Sequence, residues 1–359
     1  MAQYEQSTTS VTTTLGNSGL SSDTLAAITH LLSGSTTTTL AAGGGSATVP
    51  AGTKIVTVGS GQTLTSDPGS PIIIMDHNAP GANVVLQGNT DRVVVTGGGD
   101  NHIVFTGSGN STVQTGGGND TIDAGSNTGN TNVNVAGGNS SVQTGSGSDT
   151  VTITGSGNVT VITGSGNDTI VFSSDAANST IDGGTGFDVL VVHDSHINHT
   201  VTIENGHLVV HSAAPAQITN IQVIEYSDGI SVVASTHDQA IVARMYEVAF
   251  GREADVAGIN FWMDQLTAGQ PLSQIITDMS KSNEFKTNHA SQTNDAFLTS
   301  LYLGLANRTP DAAGLAYWEA QFASGATQAD VALHFAQSQE AITLMGITGT
   351  QYVIDNGIG

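Results

Sequence analysis

A short tandem repeat constrains the fold of this chain more than any other feature. Between residues 96 and 190 the sequence repeats itself every nine to eleven residues, and each unit joins a Gly-rich turn to a short apolar strand. One such unit cannot bury its own apolar face, so this period predicts stacked units and hence a solenoid. The clearest units are TGSGNSTVQ from Thr106, TGGGNDTID from Thr115, TGSGSDTVT from Thr144, TGSGNVTVI from Thr154, TGSGNDTIV from Thr163 and GGTGFDVLV from Gly183.

The eighth position of every unit is apolar. It holds Ile103, Val113, Ile122, Val133, Val142, Val151, Val161, Ile170, Ile181 and Leu190. Strands have a period of two residues, so this position faces inward while its Thr, Asn and Gln neighbours face water. Two units in each coil would place successive turns on alternate edges of the solenoid.

The sixth position carries the candidate metal ligands. Asp149, Asp168 and Asp188 should stack as a ladder on one edge. On the other edge Asp120 lies one coil from Asp100, which stands one place early, before Asn101. Carboxylates about 5 Å apart repel each other unless a cation lies between them, and carboxylate and carbonyl oxygens suit Ca²⁺. We therefore predict calcium, and the alternative is that these aspartates only favour the turns. The turn carbonyls would come from near Gly145, Gly147, Gly164, Gly166, Gly183, Gly186, Gly116 and Gly118.

Other residues interrupt the aspartate pattern. The sixth position is Ser111, Ser140, Val159 or Ser179 in four units, and the unit that ends at Val133 has no G-x-G turn. Several coils should therefore hold together without metal, through ladders of Thr, Asn and apolar side chains.

The pattern G-G-x-G-x-D-x-U-x, which GGTGFDVLV satisfies at every place, resembles the calcium-binding nonapeptide repeat of the repeats-in-toxin (RTX) family. The resemblance covers residues 96 to 190. It implies a parallel β-roll that folds on calcium outside the cell, exported by a type I system that reads an uncleaved C-terminal signal. The start MAQYEQSTTSVTTTLG lacks the features of a cleaved secretion signal, in keeping with that expectation. Whether the final run GTQYVIDNGIG is the export signal stays open.

Strand-like runs flank the repeats. Residues 54–95 contain KIVTV, PIIIM, NVVLQG and RVVVTG, and longer strands follow in residues 191–235. These segments should extend or cap the roll, which gives a mainly β domain over residues 51–235.

The first 50 residues are rich in Thr and Ser and contain one predicted helix, in SSDTLAAITHLLSG. Ser22 or Asp23 can cap it, and Leu25, Ile28 and Leu32 form one apolar stripe. A helix this short needs a partner, which is either the roll of the same chain or a neighbouring molecule.

A second repeat begins beyond residue 236, and its period is helical. MYEVAFGREADVAGINFWMDQLTAG from Met245 matches LYLGLANRTPDAAGLAYWEAQFASG from Leu301 at an offset of 56 residues. Each copy predicts three helices, so a separate all-α domain of two three-helix repeats should occupy residues 236–359. Thr236 and Gln239 form a capping-box pattern at its start.

The motif F-G-R-E-x-D-x-x-G-x-x-F/Y-W, complete from Phe250 to Trp262, resembles a helical domain of unknown function found after RTX-type repeats in secreted bacterial surface proteins. The resemblance implies secretion and a cell-surface or extracellular location. It implies no chemistry.

The two helical copies share one Arg/Asp pattern. Arg252 with Asp255, and Arg308 with Asp311, can form ion pairs that fix a loop, or they can contact an anion or a sugar.

Aromatic residues recur at helical spacing in both copies. For Trp262 and Trp318, with Phe261 and Tyr317, core packing is favoured over a ligand cage.

A histidine cluster precedes the helical region, at His193, His196, His199, His207 and His211. A transition-metal site or a pH switch is conceivable, but the spacing matches no standard zinc motif. Surface or partly hydrogen-bonded histidines are therefore favoured, with His207 and His211 on one face of a strand.

Composition excludes several classes of function. Lys+Arg 7 against Asp+Glu 30 leaves a formal net charge of -23, which excludes a simple nucleic-acid binder and disfavours electrostatic attachment to an anionic bilayer. Cys is 0, so no disulfide or thiolate site exists. No apolar run approaches the ~20 residues of a membrane-spanning helix, so membrane insertion is not expected.

The sequence favours a structural role over catalysis. It contains no H-E-x-x-H, G-x-S-x-G or phosphate-loop motif, so an enzyme is not expected. The first hypothesis is a secreted, calcium-dependent protein that polymerises with copies of itself, as the subunit of an S-layer or an extracellular-matrix filament. The second is a calcium-stabilised adhesin or glycan-binding module, and the third is an accessory subunit of a larger secreted complex.

Overall fold

The protein is described by a computed structural model. The structure describes residues 20–33, 81–172, 178–205, 207–211, 215–289, 291–306 and 308–344, together with strands at 2–7, 37–43, 55–58, 63–65, 72–75, 347–348 and 351–355. Residues 1, 8–19, 34–36 and 44–50 of the predicted Thr/Ser-rich segment, and residues 349–350 and 356–359 of the candidate export signal, lie outside these ranges. The chain divides into two compact units, one of residues 1–193 and 197–221 and one of residues 194–196 and 222–359.

The first unit is built from short strands. In chain order they are β1 (Ala2–Ser7), β2 (Thr37–Gly43), β3 (Ile55–Val58), β4 (Thr63–Thr65), β5 (Ile72–Met75), β6 (Asn83–Gln87), β7 (Arg92–Val95), β8 (His102–Gly107), β9 (Ser111–Gln114), β10 (Thr121–Asn127), β11 (Thr131–Val135), β12 (Ser141–Gln143), β13 (Thr150–Ile153), β14 (Thr160–Ile162), β15 (Thr169–Phe172), β16 (Ser179–Asp182), β17 (Val189–Val192), β18 (Thr200–Glu204), β19 (His207–His211) and β20 (Ala216–Thr219).

These strands form a parallel β-solenoid with two sheets. Within this unit one sheet runs β1-β2-β3-β5-β7-β9-β11-β13-β15-β17, and the other runs β18-β19-β20-β16-β14-β12-β10-β8-β6-β4. Odd-numbered and even-numbered strands alternate between the sheets from β3 to β17, so each coil contributes one strand to each sheet. The predicted solenoid with two units per coil is confirmed.

The eighth-position residues form the core of this solenoid. Val151 is in register with Ile170, and Ile170 with Leu190, and each of the three is 0% exposed. The opposite sheet aligns Val142 with Val161 in the same way. Stacking the repeats therefore buries the apolar face that one unit alone would leave in water.

Glycine allows the coils to approach closely at the turns. Gly166 has φ 130°, and a Cβ there would lie 1.7 Å from the carbonyl oxygen of Gly147 in the preceding coil. Gly186 has φ 133° and would meet the carbonyl oxygen of Gly166 at 1.8 Å. Any other residue at these two positions would force the coils apart.

An external ladder of side chains links the exposed turns. The backbone N–H groups of Asn110, Asn130 and Ser148 donate to the side-chain oxygens of Asp91, Asn110 and Asn130, at 2.9, 3.0 and 3.0 Å. The other edge carries Asp100, Asn119, Asn139 and Asn158 in the same arrangement. The predicted Asn ladder is thus present in the fifth position of the repeat.

The N-terminal helix packs on its own solenoid. Helix α1 (Ser22–Leu32) is capped by Ser21, whose hydroxyl accepts from the N–H of Thr24, so the cap lies one residue before the predicted Ser22 or Asp23. Its buried residues Ile28 and Leu32 contact Val93 of β7. Of the two predicted partners, the roll of the same chain is the one observed.

The second unit is mainly helical, with four helices in each repeat where the sequence predicted three. The helices are α2 (His237–Met245), α3 (Val256–Thr267), α4 (Leu272–Ser280), α5 (Asn283–His289), α6 (Asn294–Ala306), α7 (Ala312–Ala323), α8 (Gln328–Ala336) and α9 (Gln339–Leu344). The additional helix of each copy, α5 or α9, is too short for its periodicity to stand out in the sequence. Thr236 and Gln239 form the predicted capping box at α2.

Strands also belong to this second unit. They are β21 (Val223–Tyr226), β22 (Gly229–Ala234), β23 (Ile347–Thr348) and β24 (Gln351–Asp355). The strand β22 pairs with β21 on one side and with β24 on the other, both antiparallel. The compact unit therefore begins at residue 222, whereas the sequence placed the domain boundary near Ser235, because β21 and β22 associate with the C-terminal strands.

Candidate metal centre

Asp149, Asp168 and Asp188 lie in neighbouring coils, each directly before a strand of the same sheet. The carboxylate of Asp168 accepts a hydrogen bond from the backbone N–H of Asp149 at 2.7 Å, and that of Asp188 accepts one from Asp168 at 2.9 Å. The carboxylate of Asp149 accepts from the N–H of Thr131 at 2.6 Å. The structure thus brings the three predicted ligands together as one inward-facing column, here called the aspartate column.

The aspartate column is buried. Asp149 and Asp168 are 1% exposed and Asp188 is 0% exposed. In each of Asp149 and Asp168, Oδ1 accepts a backbone N–H, while Oδ2 is buried without a hydrogen-bond partner among the described residues. A buried carboxylate oxygen with no partner carries a large desolvation cost, and a bound cation would remove it.

The threonines beside the column do not supply the missing hydrogen bonds. The hydroxyl of Thr144 donates to the carbonyl of Thr163 at 2.6 Å, and the hydroxyl of Thr163 donates to the carbonyl of Gly183 at 2.9 Å. Each hydroxyl has one proton, and that proton is used in linking adjacent coils.

The carboxyl groups have raised pKa values as a result. The pKa of Asp149 is raised to about 6, mainly by burial and also by the nearby charge of Asp168, although hydrogen bonds act to lower it. Burial also raises the pKa of Asp188 to about 7, with the charges of Asp168 and Asp182 acting in the same direction. The pKa of Asp168 is raised by burial too. These raised pKa values mean that the ionised form of the column is destabilised, because no positive charge among the described residues beside it offsets the buried carboxylates.

The chemistry of these donors fits calcium. The available atoms are carboxylate oxygens together with the turn carbonyls that the close-packed glycines, such as Gly147 and Gly166, bring near the next coil. Across the residues the structure covers, no three His, Cys, Asp or Glu side chains converge into a metal site of their own. A calcium ion between two members of the column would consequently need backbone carbonyls to complete its 6–8 ligands.

The opposite edge differs from the prediction for Asp100 and Asp120. Asp120 is 1% exposed and faces inward, but its Oδ1 accepts from the backbone N–H and the side-chain amide of Asn101, at 3.0 and 2.7 Å. Burial raises the pKa of Asp120. Asp100 is exposed and accepts from the N–H of Asn119 instead, in the external ladder. The structure does not join the Asp100 and Asp120 carboxylates in one site, because Asn101 takes the inward place.

In four other units a neutral residue takes the sixth position, namely Ser111, Ser140, Val159 or Ser179. The hydroxyl of Ser140 accepts from the N–H of Asp120 at 3.0 Å and donates to the carbonyl of Gly137 at 3.1 Å. The hydroxyl of Ser179 accepts from the N–H of Val159 at 3.0 Å. These coils repeat the inter-coil hydrogen bond of the aspartate column without its charge.

The Arg/Asp loops of the helical repeats are engaged in ion pairs. Arg252 binds Glu284 through two guanidinium nitrogens and lies 3.1 Å from Asp255, and its guanidinium stacks on the Tyr246 ring at 5.1 Å. Arg308 repeats this with Glu340 at 2.7 Å and with Asp311 at 3.8 Å. The structure supports the reading of Arg252, Asp255, Arg308 and Asp311 as ion pairs that fix a loop.

The conserved spacing of the two helical copies has a steric cause. The carboxylate of Asp255 caps α3 by accepting from the N–H of Gly258 at 2.7 Å. A Cβ on Gly258 would lie 2.3 Å from the hydroxyl oxygen of Tyr246, and Gly314 meets Tyr302 in the same way at 2.4 Å. The aligned segments showed that these glycines and tyrosines match between the copies, but not that they touch.

Two aromatic residues of the repeats are exposed. Trp318 is 6% exposed, as expected for the core, but Phe261 is 53% exposed and Tyr317 is 57% exposed. The prediction that Phe261 and Tyr317 pack in the core is wrong. Each lies one residue before a tryptophan and therefore points about 100° away from it around the helix.

Two histidines of the cluster contact carboxylates. His211 contacts Glu204 at 2.9 Å across the β18–β19 hairpin, and His196 contacts Asp228 at 3.0 Å within the second unit. His207 and His211 share one face of β19, as predicted, since Leu208 and Val210 between them are buried. No metal constellation forms among them in the parts described.

One family model matches the helical region. The model of a domain of unknown function, DUF4214, matches residues 230–289 and again residues 281–345. The two matches coincide with the two sequence copies and confirm the duplication. No curated protein and no solved structure matches the chain. The resemblance of residues 96–190 to RTX repeats rests on the motif, with which the β-solenoid agrees.

Among the helices that the structure describes, none has both the length and the apolar character needed to cross a membrane.

Proposed function

We propose that this chain is a calcium-stabilised structural protein of the cell exterior that assembles with copies of itself. The observation that carries the proposal is the aspartate column, in which Asp149, Asp168 and Asp188 are buried one above the other. Their mutual repulsion and desolvation oppose folding unless a cation lies between them. Extracellular calcium is the cation class that suits carboxylate and carbonyl oxygens, and weak extracellular sites are a known regime for it.

Assembly is proposed from the edges of the sheets and from the charge. The strand β18 ends its sheet and, within the described ranges, pairs only with β19. Its Ile203 is 37% exposed, so apolar surface and backbone hydrogen-bonding groups lie at the same edge. A formal net charge of -23 keeps copies apart until calcium binds or screens it.

Electron microscopy tests this function. Purified full-length protein is imaged with millimolar calcium, with the same concentration of magnesium and with excess chelator, and circular dichroism is recorded on each sample. Ordered filaments or sheets with calcium alone, which dissolve on chelation with loss of β signal, are expected. A folded monomer under all three conditions would refute the proposal.

A pair of variants separates assembly from folding. Ile203→Lys places a charge at the β18 edge and should abolish assembly while leaving the calcium-dependent dichroism intact. Ile197→Lys makes the same change at a residue that is 81% exposed and lies outside any strand, and it should assemble normally. Equal assembly by both variants would show that β18 is not the interface.

An adhesin or glycan-binding module is the second candidate. Exposed rings at equivalent places of the two helical repeats, Phe261 and Tyr317, favour it, because aromatic rings in contact with solvent are frequent at binding surfaces. Arg252 and Arg308 do not favour it, since each already forms an ion pair, with Glu284 and Glu340 respectively. A glycan array with wild type and with a Phe261→Ala/Tyr317→Ala double variant tests this candidate. If the wild-type monomer binds a glycan and the double variant does not, the adhesin is favoured over the self-assembling structural protein.

A further inference from the structure

We propose that side-chain nitrogens of Arg92, Asn101 and Asn127 take the place of cations in the N-terminal coils. Coils at residues 83–135 then fold without metal, and calcium acts only at the levels of Asp149, Asp168 and Asp188. This inference rests on the proposed calcium dependence and specifies where along the solenoid it applies.

The amide of Asn101 lies among oxygen atoms of the kind that calcium would bind. Its Nδ2 donates to the carbonyl of Gly99 at 2.8 Å, to Oδ1 of Asp120 in the next coil at 2.7 Å, and to the carbonyl of Gly97 at 3.3 Å. Two turn carbonyls and one carboxylate from the adjacent coil form an all-oxygen set. Asn101 is 3% exposed, so this set is closed to a hydrated ion.

Asn127 fills the corresponding space on the other edge. Its Nδ2 donates to the carbonyl of Gly109 in the preceding coil at 3.0 Å, to the carbonyl of Gly129 at 3.1 Å and to the hydroxyl of Thr131 at 3.2 Å. Asn127 is also 3% exposed. This is the turn that lacks the G-x-G pattern, so the departure from the repeat motif coincides with an amide that replaces the ion.

Arg92 supplies a fixed positive charge two coils before Asn127. It is in register with Ser111, and Ser111 with Thr131, so it starts the column that later contains Asp149. Arg92 is 3% exposed, and its Nη2 donates to the turn carbonyl of Gln87 at 2.9 Å. A guanidinium stays protonated, so this coil carries its own cation at every physiological pH.

The aspartate column has a different set of partners. The carboxylates of Asp149 and Asp168 accept only from the backbone N–H groups of Thr131 and Asp149, whereas that of Asp120 also accepts from the Asn101 amide. In all three the second oxygen is buried without a hydrogen bond in the described parts of the chain. A side-chain nitrogen thus reaches the buried carboxylate of the first coils, at Asp120, whereas the carboxylates of Asp149 and Asp168 have only backbone N–H donors among the residues described. The solenoid changes from a self-sufficient half to a cation-dependent half near residue 149.

Hydrogen–deuterium exchange of the full chain tests the division. Peptides from residues 83–135 should be protected both with calcium and with chelator, while peptides from residues 150–192 should exchange at least tenfold faster with chelator. If calcium slows exchange in both halves alike, the division is refuted and the calcium proposal stands. If calcium changes neither half, the calcium proposal itself fails.

A matched pair of variants tests the amide directly. Asn101→Asp removes the nitrogen and places a second carboxylate beside Asp120, so residues 83–135 should lose protection with chelator and regain it with calcium. The number of bound calcium ions, from equilibrium dialysis, should rise by about one. Asn119→Asp adds the same charge at an exposed turn position, where its oxygen still accepts from Asn139, and should change neither readout. Loss of protection in both conditions, or no change in either, would contradict the inference.

Discussion

The backbone N–H of Asp149 donates to the carboxylate of Asp168 at 2.7 Å, and this contact fixes the orientation of the side chain. Oδ1 of Asp168 accepts this bond from the preceding coil, and Oδ2 is buried without a hydrogen bond among the residues described. The same contact repeats between Asp168 and Asp188 at 2.9 Å. The geometry that holds the coils together therefore also builds up the negative charge that calls for a cation.

Asp168→Asn should have opposite effects with and without calcium. The amide oxygen can still accept from Asp149, but the buried charge is gone, so the metal-free protein should gain about 1–3 kcal/mol of unfolding free energy. With millimolar calcium the variant should be less stable than wild type, because a ligand that binds only the folded state stabilises it according to its affinity. Chemical denaturation at both conditions measures the two values.

The control for this variant is Asp123→Asn. Asp123 is exposed on the outer face of β10 and accepts from the N–H of Gly125 at 3.1 Å, which an amide can also do. It should leave both stabilities within about 0.5 kcal/mol of wild type. Equal effects of the two variants would show that the column is not special.

The metal-free protein should lose stability as the pH rises. Asp149 and Asp188 have folded-state pKa values of about 6 and about 7, above the ordinary value of 3.8 for an aspartate side chain. A group whose pKa is raised by folding contributes stability that is complete below its unfolded pKa and is lost as the pH passes the folded value. Denaturation of calcium-depleted protein should therefore show falling stability between pH 4 and pH 7.

Calcium should counter this loss of stability as the pH approaches 7, because a bound cation offsets the charge that protonation would otherwise neutralise. Stability of the metal-free protein that rises between pH 4 and pH 7 would contradict the assignment of the buried carboxyl groups. Wild type and Asp168→Asn, measured side by side, distinguish this column from exposed acids.

Gly166→Ala should unfold the solenoid locally. The φ of 130° disfavours any side chain, and the new Cβ would lie 1.7 Å from the Gly147 carbonyl oxygen, so we expect a loss of at least about 3 kcal/mol. Gly117→Ala is the control, because nothing lies within 4 Å of a Cβ at that turn. Thermal melts with calcium should separate the two variants, and similar melting temperatures would contradict the close stacking of turns.

Gly258→Ala should destabilise the first helical repeat through Tyr246. The added methyl group would lie 2.3 Å from the tyrosine hydroxyl oxygen, and we expect a cost of about 1–3 kcal/mol. Removing that hydroxyl with Tyr246→Phe should recover part of the loss, so a double-mutant cycle is the measurement. Strictly additive effects would show that the glycine is not required by this contact.

The sequence predicted the regular part of this structure well, because a period of two within a strand and a repeat of nine to eleven residues determine register. The burial of Val151 beneath Ile170, and the inward column of Asp149 and Asp168, follow from that register alone. Capping signals such as Thr236 with Gln239 were also readable, since they act over three residues.

Contacts that depend on side-chain direction were not readable. The spacing placed Asp100 near Asp120, but Asn101 turns inward and Asp100 outward, which one residue of phase decides. The bond from Arg252 to Glu284 joins residues 32 positions apart, and only their recurrence as Arg308 and Glu340 signalled it. The direction of a side chain and its long-range partner depend on tertiary packing, which the local periodicity of a sequence does not predict.

The most direct test of calcium binding by the aspartate column is an anomalous-difference map from crystals grown with calcium. The account predicts peaks between the carboxylates of Asp149 and Asp168 and between those of Asp168 and Asp188, each also within reach of turn carbonyls, and no peak beside Asn101. A map with no peak along this column, or with calcium only at exposed acids such as Asp100, would contradict the account.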